Sequence, residues 1–291
     1  MSDKKILFVI NPVSGTGKQK KLEKIISSKI DKNKFETDIK YTEYAGHAIK
    51  ISEDAAGKYD AVIIAGGDGS VNEAAQSLIN TGTALGIIPA GSGNGFARHL
   101  KLPLKPEKAI ETINNCNIKT IDTAELNRKP FVNIAGVGFD ADMGYAFANI
   151  KKRGFSGYAK VILSSLNKIK GKHYKIIVNE KEISGRFFII AFANGSQYGL
   201  NAKISPFSDI SDGKAEIVAV KHFPFILTPF LALRLFTGSI HKSKYTRIFR
   251  ANKLTIVNDK KIFAHIDGEP LELSENINIK LIPDSLKVIA P

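Results

Sequence analysis

With Cys116 as its single cysteine, the chain can close no disulfide within itself, and no CxxC-type ligand set is present. A reducing, cytoplasmic setting is therefore expected. No export signal is expected either, because Ile6 to Ile10 is too short for a signal-peptide core and runs directly into Asn11-Pro12. Nor does any segment approach the ~20 apolar residues of a membrane span. The nearest, Phe223 to Phe236, holds two prolines and Arg234. Motifs for nucleic acid are lacking too: there is no RNA-binding aromatic signature, zinc-finger spacing, or basic helix followed by heptads. His47, His99, His173, His222, His241 and His265 show no metal-ligand spacing.

What is abundant is positive charge and apolar content. A net charge of +14 over 291 residues suits anionic partners such as nucleotides or acidic lipid headgroups. A 43% hydrophobic composition can fill a sizeable core and favours two lobes over one.

The first 120 or so residues repeat a strand, a Gly-rich loop and a helix three times. Lys5 to Ile10 leads through Asn11 to Lys18 into Gln19 to Ile30. Ala61 to Ala65 leads through Gly66-Gly67-Asp68-Gly69-Ser70 into Val71 to Ile79. Leu85 to Ile88 leads into Pro89 to Arg98. This alternation predicts a mainly parallel sheet with helices on its faces. After Ile121 short β-rich runs follow, at Phe131 to Ala135, Lys175 to Asn179, Arg186 to Ala193, Glu216 to Val220, Lys253 to Val257 and Ile262 to Ile266. They predict an antiparallel β-sandwich, interrupted by helices near Tyr145 to Ile169 and Pro224 to Thr237.

A strand ending in Gly66-Gly67-Asp68-Gly69 lets backbone amides approach a ligand while the next helix aims its N-terminus at the same point. Phosphate is the expected occupant. Ser70 and Glu73 have capping-box spacing, which would fix the helix start and hold Asp68 at the strand's end. An isolated Asp-Gly is more often a plain tight turn, but three Gly-rich strand ends together favour a binding site. The familiar nucleotide loops do not fit. Lys18 is followed by Gln19 rather than Ser or Thr, and G-x-G-x-x-G fails at Lys20 and at Phe96.

Asn-Pro-x-Ser-Gly-x-Gly from Asn11, Gly-Gly-Asp-Gly-Ser-x-Asn-Glu from Gly66 and Gly-Ser-Gly-Asn-x-x-Ala-Arg from Gly91, in that order, resemble the diacylglycerol kinase catalytic-domain family. The likeness continues through Gly136-x-Gly138-x-Asp140-Ala141, Ser205-Pro206 to Asp212-Gly213, and Asp267-Gly268-Glu269. The resemblance implies an ATP site in a cleft between an N-terminal three-layer α/β domain (1–121) and a C-terminal antiparallel β-sandwich lipid-substrate domain (122–279), with the strand in 280–291 returning to the first domain. Asn11, Pro12, Val13, Ser14, Gly15, Thr42, Gly66, Gly67, Asp68, Gly69, Ser70, Val71, Asn72 and Ser92 would surround the nucleotide, Thr42 on the strength of the Thr-x-x-x-Gly-His pattern that runs to His47.

Phosphoryl transfer needs positioning, Mg²⁺ to neutralise charge, and a group to take the hydroxyl proton. Asp68, Asp122 and Glu269 are the expected carboxylates. Glu269 resembles the proton acceptor, Asp68 stands near metal and phosphates, and Asp122, just after a strand, supports them. Asp209, Asp212 and the Lys214 carbonyl resemble a second, structural Mg²⁺ site, although Asp212-Gly213 equally fits a metal-free turn. Gly95 departs from the pattern, since many members carry Asp there and the sphingosine kinases do not. The implied activity is ATP-dependent phosphorylation of diacylglycerol or a related lipid. A sphingoid-base kinase, an NAD kinase and a silent nucleotide- or lipid-binding regulator are the alternatives. Phe223 to Phe236, followed by His241, Lys242, Lys244, Arg247 and Arg250, reads either as a surface for anionic membrane or as a buried helix beside a solvated loop. A homodimer is left open.

Overall fold

The protein is described by a computed structural model covering residues 4–14, 19–148 and 171–291. The chain forms two compact units, residues 1–123 with 283–291, and residues 124–282.

The N-terminal unit runs β1 (Lys4–Ile10), α1 (Gln19–Lys29), β2 (Phe35–Tyr41), α2 (His47–Ala55), β3 (Ala61–Gly66), α3 (Asp68–Leu78), β4 (Ala84–Pro89), α4 (Gly95–His99) and α5 (Pro106–Asn115). Its strands pair in parallel in the order β4-β3-β1-β2. On the far side of β4 lies the end of β15 (Ile277–Ile289), with Val288 opposite Leu85. Side chains alternate across a strand with period two. Ile6, Phe8, Ile10 and Ile63 accordingly share a core with Ile26 of α1, with Ile30 just past its end, and with Ile110 and Ile113 of α5. Leu7, Val9, Val62 and Ile64 are buried as well and point to the opposite face, where α2 and α3 pack together. Apolar runs such as Ile6 to Ile10 are what a doubly covered parallel strand requires, each full burial stabilising by about 2 kcal/mol.

The threefold repeat read from the sequence is one strand and one helix short. β2 and α2 form a further unit between the first and second. β2 reads Phe-Glu-Thr-Asp-Ile-Lys-Tyr and is largely solvated because it is the edge strand beyond β1, so it lacks the apolar run that marks its neighbours.

The C-terminal unit is antiparallel. It contains β6 (Lys129–Phe131), β7 (Ile134–Gly138), α6 (Phe139–Ala148), β8 (Lys172–Val178), β9 (Lys181–Ala193), β10 (Ala215–Lys221), α7 (Thr228–Thr237), β11 (Thr246–Ala251), β12 (Lys253–Val257), β13 (Ile262–Ile266) and β14 (Glu269–Leu273), and β5 (Ile118–Leu126) leads into it. The long β9 pairs with β8 along its first half and with both β7 and β10 along its second. This division curls the strands around one core, where Phe131, Val137, Ile176, Ile190, Phe192, Ile217, Leu254 and Ile277 meet. Residues Asn127-Arg128, Asn179-Glu180 and Asp267-Gly268 all have positive φ and join their strands by two-residue turns of the kind that matches strand twist.

The expected run Phe131 to Ala135 is broken between β6 and β7, and the expected helix at Tyr145 to Ile169 begins earlier, at Phe139; its part beyond residue 148 lies outside the described residues. Among the described residues no helix is long and apolar enough to cross a membrane.

Candidate functional site

In the N-terminal unit the carboxyl ends of β1, β2, β3 and β4 lie side by side, the place where open α/β sheets bind ligands. Asn11 ties the loop after β1 to the start of α3. Its Nδ2 donates to Ser70 Oγ (2.8 Å), its Oδ1 accepts from the Val13 amide (2.9 Å), and its carbonyl accepts from Ser14 Oγ (2.9 Å). Thr42, buried just past β2, donates its amide to Ile10 C=O (3.0 Å). Pro12 and Val13 are exposed. Gly15 lies outside the described residues.

The glycines after β3 and β4 are there because the two loops touch backbone to backbone. A Cβ on Gly91 would fall 2.6 Å from Gly67 Cα, whereas at Gly66 one would fall 2.6 Å from Ser70 Cβ of its own segment. The Ala90 amide bonds to Gly66 C=O (2.9 Å), and the Asn94 side chain brackets Gly91, accepting from its amide (2.9 Å) and donating to its carbonyl (2.8 Å). Asn94 itself is left-handed, with φ 51°. The Phe96 amide approaches Asp68 Oδ1 (3.4 Å), so Asp68 is held where the two loops meet. Ser92 is exposed at the tip of the second loop. The first bond within α3 runs from the Val71 amide to Gly67 C=O (3.0 Å), which leaves the amides of Gly69 and Ser70 directed out of the helix end. Those amides and the positive end of the helix dipole suit an anion. Val71 and Asn72 are buried, and with its amide used inside the helix Val71 offers a ligand no polar group beyond its carbonyl.

The capping box expected of Ser70 and Glu73 is not formed. α3 starts three residues earlier, behind Gly67, with no side-chain cap. Glu73 instead accepts from the Gly46 amide (2.9 Å) and the Ala48 amide (3.3 Å), serving the start of α2. Asp122 also differs from expectation: it lies within β5 rather than after a strand, is buried, and accepts the Asp284 amide (2.9 Å). That bond fixes the chain where it enters the last residues of β15.

In the C-terminal unit Glu269 is the exposed first residue of β14, next to the Asp267-Gly268 turn. The Asp267 carboxylate accepts three amides, those of Val132 (3.1 Å), Asn133 (3.0 Å) and Ile134 (2.8 Å), which explains why no strand continues through Val132 and Asn133. A second anchor lies behind the same hairpin. Buried His265 is 3.0 Å from Asp140 Oδ2 through Nε2, and its Nδ1 faces the Gly268 amide (3.4 Å). Tyr198 donates to the same Asp140 oxygen (2.7 Å). Burial foremost, then the Asp140 carboxylate, pushes the Tyr198 phenol well above its ordinary pKa, so it remains a donor. Gly144 faces the turn from α6, where a Cβ would come 3.3 Å from Gly268 C=O. Tyr198 and His265 were not among the residues expected from sequence, and the one signal for them is that Asp140 closes a Gly-x-Gly-x-Asp run at a strand-to-helix junction.

Asp209 and Asp212 stand on the loop before β10. Asp209 Oδ1 accepts from the Ser211 amide (3.0 Å) and hydroxyl (2.7 Å); Asp212 Oδ1 accepts the Lys214 amide (2.9 Å) and its Oδ2 meets Arg250. The donors are oxygens, which suits a hard cation, but both Asp212 oxygens are engaged, and a metal there would have to displace Arg250. Among the described residues no group of three or more His, Cys, Asp or Glu is gathered to hold a metal.

Residues 5–126 match the family described as the diacylglycerol kinase catalytic domain, and residues 133–290 match the YegS C-terminal NAD kinase beta sandwich-like domain. A Bacillus subtilis protein named diacylglycerol kinase is 28% identical over 275 residues, covering 91% of this chain and 90% of that one. A Chromohalobacter salexigens protein named "Probable lipid kinase YegS-like" is 27% identical over 260 residues, covering 87% and 83%. The crystal structure of a diacylglycerol kinase from Bacillus anthracis superposes with a TM-score of 0.76 at 23% identity, covering 99% of this chain and 97% of that one.

Proposed function

This chain belongs to the family that joins a diacylglycerol kinase catalytic domain to a YegS-type C-terminal domain, and on that premise we propose that it transfers the γ-phosphoryl group of ATP to the free hydroxyl of diacylglycerol. It is a phosphotransferase with an alcohol acceptor, a lipid kinase with ATP as co-substrate. The observation that carries the reading furthest is the backbone packing of Gly67 on Gly91, which sets two loops and the start of α3 around Asp68 as an anion cradle.

In this reading Asn11 to Gly15, Thr42, Gly66 to Asn72 and Ser92 bind the nucleotide, its phosphates lying against the amides of Gly69 and Ser70. Mg²⁺, when bound, neutralises charge on the phosphate oxygens, and Asp68, a hard oxygen donor held beside the phosphates, fits as its protein ligand. The acceptor hydroxyl oxygen attacks the γ-phosphorus, the bond from that phosphorus to the β,γ-bridging oxygen breaks, and ADP leaves. The hydroxyl proton passes to Glu269. Asp122 acts through the backbone it fixes, and Asp209, Asp212 and Lys214 are assigned a structural Mg²⁺ that competes with Arg250. Gly95 keeps a sphingoid base in view as the alternative acceptor.

The test is to incubate the protein with radiolabelled ATP and, separately, diacylglycerol, sphingosine and NAD. Label in phosphatidic acid is expected; label only in phosphorylated sphingosine or in NADP would overturn the acceptor assignment. Glu269→Gln should retain ATP binding while turnover falls ~10²-fold or more, as loss of a general base does. Unchanged turnover would remove Glu269 from that role.

A further inference from the structure

Helix α7 and the 3-10 turn before it, Phe225 to Leu227, are apolar on both sides. Leu227, Leu231 and Leu235, four residues apart, face inward and pack with Val218, Val220, Phe223 and Ile240. The outward side is no more polar: Phe225 is 55% exposed, Ile226 82%, Phe230 52%, Leu233 60% and Phe236 53%. Neighbours of this kind on a free helix face mark an interaction surface. No acidic residue occurs from Ile217 to Asn258. The chain following α7 carries the exposed cations Lys242, Lys244, Arg247 and Arg250. Arg250 meets Asp212, whereas among the described residues no carboxylate pairs with Lys242, Lys244 or Arg247. Arg234 lies over the Phe230 ring at 4.7 Å and donates to Ser239 C=O (3.2 Å), so the one charge on the helix is folded back toward its basic end.

We propose that the outward face of α7 and of the turn before it, from Phe225 to Phe236, inserts into the headgroup region of an anionic bilayer while Lys242, Lys244 and Arg247 contact its phosphates. Large apolar side chains beside cations with no acidic residue among them are the composition of an interfacial helix. A protein partner would need carboxylates facing three such cations together with an apolar groove, whereas an anionic bilayer offers both along one plane. The proposal rests on the lipid-kinase reading for its rationale, since an acceptor of that class is held in a membrane, but not for its test.

Flotation with phosphatidylcholine vesicles, with and without phosphatidylglycerol, needs no ATP and no turnover. Binding is expected only with the anionic lipid. It should weaken from 0.1 M to 1 M salt as the Debye length falls from about 10 Å to about 3 Å. The triple variant Lys242→Gln, Lys244→Gln, Arg247→Gln should bind roughly 100-fold more weakly. Because the chain has no tryptophan, Ile226→Trp and Phe230→Trp each supply a single fluorophore. Both should shift to the blue and be quenched by brominated lipid, while Ile118→Trp in the N-terminal unit should not respond. The double variant Phe230→Ser, Leu233→Ser should lose vesicle binding with an unchanged melting temperature, and should still phosphorylate a dispersed short-chain diacylglycerol. Absence of a blue shift at either position, or binding of the double variant equal to wild type, would overturn the proposal. So would a drop in oligomer size of the double variant on sedimentation, which would make the face a contact between copies. Vesicle binding without any kinase activity would leave the docking surface standing and sink the acceptor assignment instead.

Discussion

Two turns carry the residues assigned to the chemistry, and they are built by opposite means. Around Asp68 the N-terminal unit uses the absence of side chains: Gly91 packs on Gly67 at a distance that leaves no room for a Cβ on Gly91, and backbone amides supply the polarity. Around Glu269 the C-terminal unit uses carboxylates and rings. Asp267 gathers three amides, and Asp140 links Tyr198 to His265 behind the turn. The first arrangement brings two loops together at the start of α3, whose end suits an anion; the second stiffens a hairpin so that one exposed carboxylate is held in place. Space limits the first turn and charge the second, and each is sensitive to a different kind of substitution.

The largest effect that separates them is expected at Asp267. Asp267→Ala strips the Val132, Asn133 and Ile134 amides of their acceptor and should lower stability by about 3 kcal/mol, read by urea denaturation, with Asp267→Asn intermediate. Equal losses for Ala and Asn would show that charge is not the support. Gly91→Ala follows. The added carbon meets backbone, which cannot rotate away, so about 2 kcal/mol of stability should be lost and ATP affinity with it, measured by calorimetry. Nucleotide binding at wild-type strength would break the cradle half of the comparison.

Tyr198→Phe should cost about 1 kcal/mol near neutral pH. The folded phenol holds its proton more tightly than the unfolded one, which titrates near ~10. Its contribution is therefore intact below that pH and is lost as pH rises through the folded value. Chemical denaturation from pH 8 to 11 should show the wild type losing its margin over the variant. A constant difference between the two would argue against the assigned direction. The smallest change is expected at Asp212. Asp212→Ala breaks an exposed pair with Arg250 and should shift stability by no more than about 0.5 kcal/mol without metal. If Mg²⁺ stabilises the wild type and not the variant in a thermal melt, the structural cation site is occupied; equal responses would remove it.

The glycine turns were legible because glycine was required: loops that pack backbone against backbone leave no room for a Cβ, so the close approach is written directly into the residue type. The apolar strands β1, β3 and β4 were legible for the same reason of necessity, being covered on both faces. β2 was not, since an edge strand with one solvated face has a polar composition. Glu73 was misread because capping-box spacing is a local pattern, whereas its partners Gly46 and Ala48 lie at the start of another helix. The support behind Glu269 was invisible for a similar reason. Asp140 and His265 are 125 residues apart and Tyr198 and Asp140 are 58 apart, distances over which no periodicity reaches. Phe223 to Phe236 left burial and exposure equally open, because a helix apolar on both sides does not declare which side the protein covers.

The N-terminal unit is not continuous in sequence. Its sheet is completed beside β4 by the end of β15, where Val288 lies opposite Leu85, Ser285 Oγ is 2.7 Å from Thr123 Oγ1 and Ser285 C=O accepts the Asn80 amide at 2.7 Å. During synthesis the ribosome therefore releases every glycine-rich loop of this unit long before the strand that closes their sheet. The unit begun first is completed only after the C-terminal unit has been made, and until residues 283–291 emerge β4 lacks its neighbour on that edge.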